Sequence, residues 1–598
     1  MGGTATSKSA SSTVYLIMIQ VVSRGLTFFG NQALLRYLSP DHLGLAIQLE
    51  ALSVSVLYTA RESLRVALQR SGQGQADDAD KQSLRRKTQA SVNAAYLVVL
   101  LGLLLGTLWG SWYLYQVNEE VLASQDFALA FRLYGVATIA ELASEPGFVI
   151  IQQHALFRDR ARAETSAAIA RCIAACLAAF YMHRTGMAMS VLPFAFGQLC
   201  YALSLLFVYF WTASKTATSE GFSIVPAKVP SSEMLMSMFS KPLLALAAAF
   251  YGQSIFKWLL TQGDTLVLSL FADLQSQGIF ALASNYGGLA SRLLFQPVEE
   301  SSRNIFGALL SESPSTQKPP KATNTTQPTR GSQAQLKRQH SLTYLSTTLH
   351  AYLLLVAIPC TTLLPHIFPL VIQTLLGSGS QWSSSQTYSL LYAYSYYIPC
   401  LAVNGILDAF VTSVATEAEL GVQSFIMLAV TIIYLGAAYI GITVLQLGAV
   451  GLVYSNCLNM VLRIAFSLWF MRKWTQRNLT EDDRTTDSTF MRFCKSSTPS
   501  TSCISTAAIV AIGLQVKGQV KQSMSGTAAV AELSKIKIGP VDLFELSYLF
   551  SAAVVLVSSV VLTEHDFLLG SIEPLLPRRV KNMLAPYIRT QAAQTGSK

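Results

Sequence analysis

The stretch GIFALASNYGGLASRLLFQPVEESSRNIFGALL, residues 278–310, decides the fold class. It is long enough to cross a bilayer, because a spanning helix needs about 20 predominantly apolar residues. It nevertheless carries Asn285, Arg292, Gln296, Glu299 and Arg303. Steps of 7, 4, 3 and 4 residues put these five side chains on one face of a helix. Phe280, Leu282, Leu289, Leu293, Leu294, Phe295 and Ile305 fill the other faces. A charge at the bilayer centre costs about 2.5–3.5 kcal/mol on insertion scales, so such a stripe needs a wet or protein-lined environment. The stretch predicts a polar cavity inside a membrane protein.

Composition agrees independently. The chain has 598 residues, 51% hydrophobic and 13% charged, with a mean hydropathy of +0.40, whereas soluble domains carry about 25% charged residues. Fourteen apolar stretches occur: 12–35, 43–68, 91–115, 127–151, 165–183, 190–213, 243–272, 278–310, 341–375, 385–412, 421–445, 449–471, 503–514 and 543–563. They predict an all-α polytopic membrane protein of about fourteen transmembrane helices. The stretch 503–514 is short and is followed by Gln515, Lys517 and Gln519.

With the N-terminus in the cytosol, 28 of the 43 Lys and Arg fall in cytosolic segments and 6 on the opposite side. The positive-inside rule therefore puts both termini in the cytosol. The net charge of +10 reflects this topology and contact with anionic lipid, not nucleic-acid binding. No cleavable signal peptide is expected, because residues 1–11 are polar and the first apolar stretch exceeds an h-region. Of the eight cysteines, Cys172, Cys176, Cys200, Cys360, Cys400 and Cys457 lie in apolar stretches and read as small packing residues. The sequons at Asn324 and Asn478 fall on the cytosolic side and are expected to stay unglycosylated.

Loops divide the chain into an N-terminal lobe (1–213), an inter-lobe cytosolic loop (214–242) and a C-terminal lobe (243–471) with a disordered insert at 311–340. A polar linker (472–502), two extra helices (503–563) and a cytosolic tail (564–598) follow. An internal echo links the lobes. Gln20, Arg24, Leu26, Gly30 and Asn31 match Gln253, Lys257, Leu259, Gly263 and Asp264 at an offset of 233, and a one-residue slip pairs Gly44 with Gly278. Six helices per copy would make this a parallel repeat, with Arg24 and Lys257 at equivalent positions.

Further polar groups lie inside apolar stretches. Arg61 and Arg65 share a helix face, and Glu62 reaches Arg65 at i,i+3. Glu141 and Glu145 are one turn apart, before Pro146. Glu62, Glu141, Glu145, Glu299 and Glu300 read as ion-pair partners or as a proton site. Pro297 should kink its helix beside Glu299. Arg24, Arg61, Arg65, Lys257 and Arg292, with Asn285 and Gln296, are the candidate binding set. Guanidinium groups take phosphate bidentately, so a pyrophosphate headgroup suits them better than a neutral sugar or an organic cation. Mutual Arg–Glu pairing is the alternative.

Several runs resemble the Rft-type oligosaccharide translocation proteins of the endoplasmic reticulum. They are residues 30–39 (GNQALLRYLS), 60–65 (ARESLR), 141–146 (ELASEP), 292–301 (RLLFQPVEES), 402–405 (AVNG) and 456–463 (NCLNMVLR). That family belongs to the multidrug/oligosaccharidyl-lipid/polysaccharide flippase superfamily. The resemblance implies two pseudo-symmetric six-helix lobes around a central cationic cavity, with two extra C-terminal helices. It also implies a role in dolichol-linked oligosaccharide assembly for protein N-glycosylation. The step implied is moving a mannose-rich dolichol-pyrophosphate oligosaccharide from the cytosolic to the luminal leaflet by alternating access, with the dolichol tail left in lipid. The alternative is a non-transporting accessory protein that binds the lipid or enzymes of the pathway. Residues 260–265 (LTQGDT) depart from the more charged helix of family members, and 474–540 is longer than the family leads one to expect.

Other classes lack support. Asp77-Asp78-Ala79-Asp80 is the one acidic run a glycosyltransferase could use, and it reads as a solvated cluster in a Gln/Gly loop. The seven histidines show no metal-ligand spacing, and no phosphate loop occurs, so no catalytic residue, metal or cofactor is expected. A drug/cation antiporter would need intramembrane acids in excess of cations.

Overall fold

In the computed structural model the described residues are 30–72, 81–117, 119–124, 126–154, 156–229, 234–310, 330–377, 381–479, 486–516, 537–538, 541–565 and 567–568. They are nearly all helical. The first elements are α1 (Pro40–Gly72), α2 (Lys81–Gln116), α3 (Phe127–Ala143), α4 (Glu145–Gln153), α5 (Phe157–Arg184), α6 (Leu192–Glu220), α7 (Lys241–Phe271) and α8 (Leu274–Ala290). There follow α9 (Gln296–Leu310), α10 (Arg330–Tyr352), α11 (Leu364–Leu376), α12 (Ser385–Val414), α13 (Glu417–Tyr439), α14 (Ala449–Leu479), α15 (Thr486–Ser497), α16 (Thr501–Gln515) and α17 (Leu543–Thr563). Two short antiparallel hairpins pair Met234–Leu235 with Phe239–Ser240 and Lys537–Ile538 with Val541–Asp542.

Ten of the described helices are long and apolar enough to cross a membrane, and the pair Phe490–Ser497 and Thr501–Gln515, bent by 44°, raises this to at most eleven. The apolar stretches 243–272 and 278–310 are also helical, although they are not among those ten. Most of the first stretch, 12–35, lies outside the described residues. Leu104, Phe207, Phe425 and Ile432 are exposed, an arrangement that suits lipid as the surrounding solvent.

Among the described residues, three segments have π-helical turns: Ser291–Phe295, Leu353–Ala357 and Ile440–Val444. The first two end just ahead of Pro297 and Pro359. Proline has no N–H for the ladder and its ring crowds the carbonyl four residues back, so the helix widens by one residue there. The kink predicted at Pro297 is thus a wide turn. A strict 3.6-residue register does not run from Asn285 through to Arg303, and the single polar face holds only within α9.

The chain divides into two units: residues 1–282, 375–386 and 438–452, and residues 283–374, 387–437 and 453–598. In the first, α1 packs along α7 and α2, and α6 packs along α5 and α3. Its core holds Leu57, Leu64, Phe148, Val149, Leu205 and Tyr209. The loop after α6 is stitched to α2 by side chains one turn apart. Asn93 Nδ2 donates to the carbonyls of Ala227 (2.8 Å) and Met238 (2.7 Å), and Gln89 Oε1 accepts from the Ser223 amide at 2.8 Å.

Also in the first unit, α1 and α8 cross at two glycines. A Cβ on Gly44 would lie 2.0 Å from the Leu274 carbonyl oxygen, and one on Gly278 would lie 1.9 Å from that of Pro40. The contact is reciprocal, and both pairs of equivalent residues are 234 positions apart. Beside it, the buried Trp382 indole N–H is shared between the carbonyls of Leu35 and Leu38, both at 2.9 Å. Arg36 Nε donates to the Leu375 carbonyl at 2.6 Å.

In the second unit, α9, α10, α12, α14 and α15 enclose a core of Phe306, Leu345, Phe410, Phe470, Trp474 and Phe493. A smaller cluster joins α16 to α17 through Val510, Leu514, Leu549 and Leu556.

Candidate functional site

Among the described residues of the first unit, three arginine–glutamate pairs join one membrane-embedded helix to another. Arg61 Nη1 donates to Glu141 Oε1 at 2.9 Å, tying α1 to α3. One turn on, Arg65 grips Glu145 of α4 bidentately, with Nε to Oε1 and Nη2 to Oε2 both at 2.7 Å. Arg171 of α5 grips Glu50 of α1 in the same fork, at 2.9 and 2.7 Å. The first two pairs have a separation of 80 residues, so successive turns of α1 meet successive turns of the α3–α4 segment. Charged groups taken out of water are tolerable when paired and fully hydrogen-bonded.

The local sequence makes this register possible. Ser144 ends α3, its Oγ bonding the Glu141 carbonyl at 2.7 Å, and Pro146 opens α4. The Arg65 guanidinium stacks over the Phe148 ring, 3.8 Å from its centroid, and Tyr209 meets the same ring edge-on. A Cβ on Gly147 would sit 3.1 Å from the Tyr209 backbone, so a small residue lets α4 approach α6. Glu141 and Glu145 are buried, while Arg61 and Arg65 keep about a fifth of their side-chain surface exposed, at 18% and 19%.

The second unit has its own polar cluster. Arg303 Nη2 donates to Glu299 Oε1 at 2.6 Å within α9 and lies 3.7 Å from Asp408 Oδ2 of α12. Gln423 Nε2 of α13 donates to Asp408 Oδ1 at 3.0 Å. Arg463 Nε, on α14, is buried with no hydrogen-bond partner among the described residues. Gly405 leaves room for Glu299, because a Cβ there would lie 3.1 Å from Oε2.

Among the residues singled out from sequence, Arg61, Arg65, Glu141 and Glu145 form one network and Glu299 belongs to another. Glu62 is half-buried on the same turns of α1, and Asn285, Gln296 and Glu300 are exposed. Arg24 lies outside the described residues, as do the side chains of Lys257 and Arg292. The sequon Asn324, the side chain of Asn478 and the acidic run 77–80 do so too. Sequence reasoning missed Glu50, Arg171, Asp408, Gln423 and Arg463. The signal was there, since each is a polar group in an apolar stretch.

The family model for Rft proteins (Rft-1) matches residues 8–568. A Yarrowia lipolytica protein named Man(5)GlcNAc(2)-PP-dolichol translocation protein RFT1 is 32% identical over 498 residues, covering 77% of this chain and 70% of the relative. The Saccharomyces cerevisiae protein of that name is 30% identical, covering 79% and 84%. The Xenopus tropicalis one is 26% identical, covering 77% and 81%. Among solved structures, the lipid II flippase MurJ in an inward closed conformation superposes with a TM-score of 0.54 at 11% identity, covering 93% of this chain and 100% of that one. An inward-facing multidrug resistance MATE family transporter gives 0.50 at 14%, covering 76% and 96%.

Proposed function

Since the chain belongs to the Rft protein family, we propose that it translocates a dolichol-pyrophosphate-linked, mannose-rich oligosaccharide across the endoplasmic reticulum membrane, from the cytosolic to the luminal leaflet, in the assembly of the N-glycosylation precursor. The observation that carries this reading is the alignment over more than three quarters of the chain with relatives named for that translocation. A fold shared with MurJ and MATE proteins supports a membrane transporter rather than an enzyme.

The finer reading is a chain of fourteen helices. Lobes 1–213 and 243–471 are followed by two extra helices, with both termini cytosolic. The reciprocal Gly44/Gly278 crossing supports the internal repeat, because equivalent residues meet as they would across a pseudo-two-fold axis. In this topology the crossing and Trp382 lie on the luminal side and hold it shut. Arg24, Arg61, Arg65, Lys257, Arg292, Asn285 and Gln296 are the residues proposed to take the pyrophosphate and sugars. Arg61 suits this role within the described set, since it is held by one hydrogen bond while a guanidinium has five donors. Opening the crossing would expose the bound headgroup to the lumen, with no cofactor involved.

The test is translocation of a pyrophosphate-linked lipid in vesicles holding the purified chain, wild type beside Arg61→Ala and Arg292→Ala. The proposal expects wild-type transport and its loss in both folded variants. No transport above protein-free vesicles, with lipid binding retained, would overturn it in favour of an accessory role in the pathway.

A further inference from the structure

A second cationic feature lies far along the chain from these residues, where α14 leaves its apolar run. Arg472, Lys473, Trp474 and Arg477 follow Met471 within two helical turns. The first turn of α13 sits beside them. Arg477 Nη1 donates to Glu419 Oε1 at 2.8 Å, and Glu419 Oε2 accepts from the Thr416 amide at 2.9 Å, which caps α13.

Between these two helix ends lies a cleft of 360 Å³. Its walls are Val422, Phe466, Phe470 and Trp469, and its rim carries Lys473, Arg477 and Glu419. The Lys473 ammonium rests 4.3 Å over the Trp469 ring, and no carboxylate among the described residues pairs with it. The rim is therefore net cationic even with Glu419 counted. Val422 and Trp469 of the wall are exposed, as is Phe425 one helical turn beyond Val422 on α13. The neighbouring α15 buries Phe493 in the core that also holds Trp474 and exposes Arg492 and Lys495. This end of the second unit is thus a basic rim above an apolar, lipid-facing cleft.

Apolar walls with a cationic mouth match one ligand class. We propose that this cleft binds an anionic glycerophospholipid of the leaflet facing the basic loops. Its phosphate would lie between Lys473 and Arg477, and one acyl chain would lie along Val422, Phe425 and Trp469. A soluble phosphate would leave the apolar walls in water, and a zwitterionic lipid would set its ammonium against the two cations. The inference rests on the membrane-spanning reading and is independent of glycolipid translocation.

The test uses the full chain in phosphatidylcholine nanodiscs doped with brominated phosphatidylserine, read by quenching of tryptophan fluorescence. Subtracting a Trp469→Phe variant isolates the cleft signal. A basic residue near an anionic surface contributes about fivefold in affinity. Lys473→Gln/Arg477→Gln should therefore shift the half-quenching dose by on the order of 25-fold. Lys215→Gln, which removes the cation over Trp211 in the first unit, should shift it less than about twofold. Should the double variant fail to fold, salt titration of the wild type decides, because only an anionic headgroup loses quenching as salt is raised. Equal quenching by brominated phosphatidylserine and phosphatidylcholine would overturn the assignment, as would an unmoved dose in the folded double variant. Preference for a dolichyl phosphate competitor would overturn it too, by giving the cleft to the transported lipid.

Discussion

Replacing Gly278 with alanine tests whether the α1–α8 crossing holds one face of the first unit shut. The new Cβ would lie 1.9 Å from the Pro40 carbonyl oxygen and 2.7 Å from its carbon. Carbon–oxygen contacts settle near 3.3 Å, so the helices must separate by about 1.4 Å, and backbone cannot rotate away as a side chain could. Overpacking of this kind costs about 1–3 kcal/mol. Charged to the closed arrangement alone, that is a change of about 5–150-fold in the closed-to-open ratio. Hydrogen exchange read by mass spectrometry on the full chain in nanodiscs reports this ratio through the amides of 40–50 and 381–386. Both segments should exchange at least fivefold faster in Gly278→Ala, and Gly44→Ala should do the same, since its Cβ meets the Leu274 oxygen at 2.0 Å. Gly436→Ala is the control, because nothing lies within 4 Å of its Cβ. Exchange within twofold of wild type in both crossing variants would refute the reasoning.

Three further outcomes follow from the same geometry. Trp382→Phe keeps a ring at this position but removes the N–H shared by two buried carbonyls, so residues 381–386 should lose about 1–3 kcal/mol of protection in the same exchange measurement. Glu145→Gln leaves the part-buried Arg65 without its carboxylate and should cost about 3–5 kcal/mol. Arg162→Ala, which breaks an exposed pair with Asp159, should cost no more than about 1 kcal/mol; comparing the two thermal midpoints in one detergent checks this. His154 stacks on Phe222 with Nε2 buried and lacking a partner among the described residues. Burial holds its pKa below the ordinary 6.5 despite the opposing pull of Glu220. The unfolded chain then takes up that proton first. The contribution of neutral His154 is present above pH 6.5 and is lost as pH falls below it. His154→Gln should flatten the fall in thermal midpoint between neutral and mildly acidic pH, and an unchanged slope would count against the assignment.

Much of this is legible in the sequence, and the limits have physical causes. Local periodicity is written in the sequence, so the apolar stretches and the intramembrane charges at 61, 65, 141 and 145 could be located. Pairing across helices is not written there. No rule of helix spacing joins Arg61 to Glu141 over 80 residues, or Arg171 to Glu50 over 121, because those contacts depend on how α1, α3 and α5 lie together. Pro297 announces a break, but a proline can be absorbed by a kink or by a widened turn, and only the structure shows the π-helical turn. Gly44 and Gly278 stood out as repeat equivalents, yet their mutual contact is a property of the fold. Trp382 gave no signal at all, since a tryptophan in a short loop acquires meaning only from the carbonyls it meets.

The arginine pairs sharpen the question of how an anionic headgroup would be held. Arg61, Arg65 and Arg171 are each matched by one glutamate, so as a group they carry no surplus charge. A pyrophosphate must therefore use cations outside these pairs or draw an arginine away from its carboxylate. Arg61 is the weakest-held of the three, by one hydrogen bond against two. Glu141→Gln separates the possibilities. If exchange operates, neutralising Glu141 releases the Arg61 guanidinium, and affinity for a pyrophosphate lipid rises by the strength of a charge-assisted hydrogen bond, about 1.5–3 kcal/mol or roughly 10–150-fold. If the pair only braces α1 against α3, the same change lowers the thermal midpoint and leaves affinity where it was. Titrating the full chain in nanodiscs with a short-chain prenyl pyrophosphate, wild type beside Glu141→Gln, reads both quantities. Unchanged affinity alongside lowered stability would remove Arg61 from the binding surface.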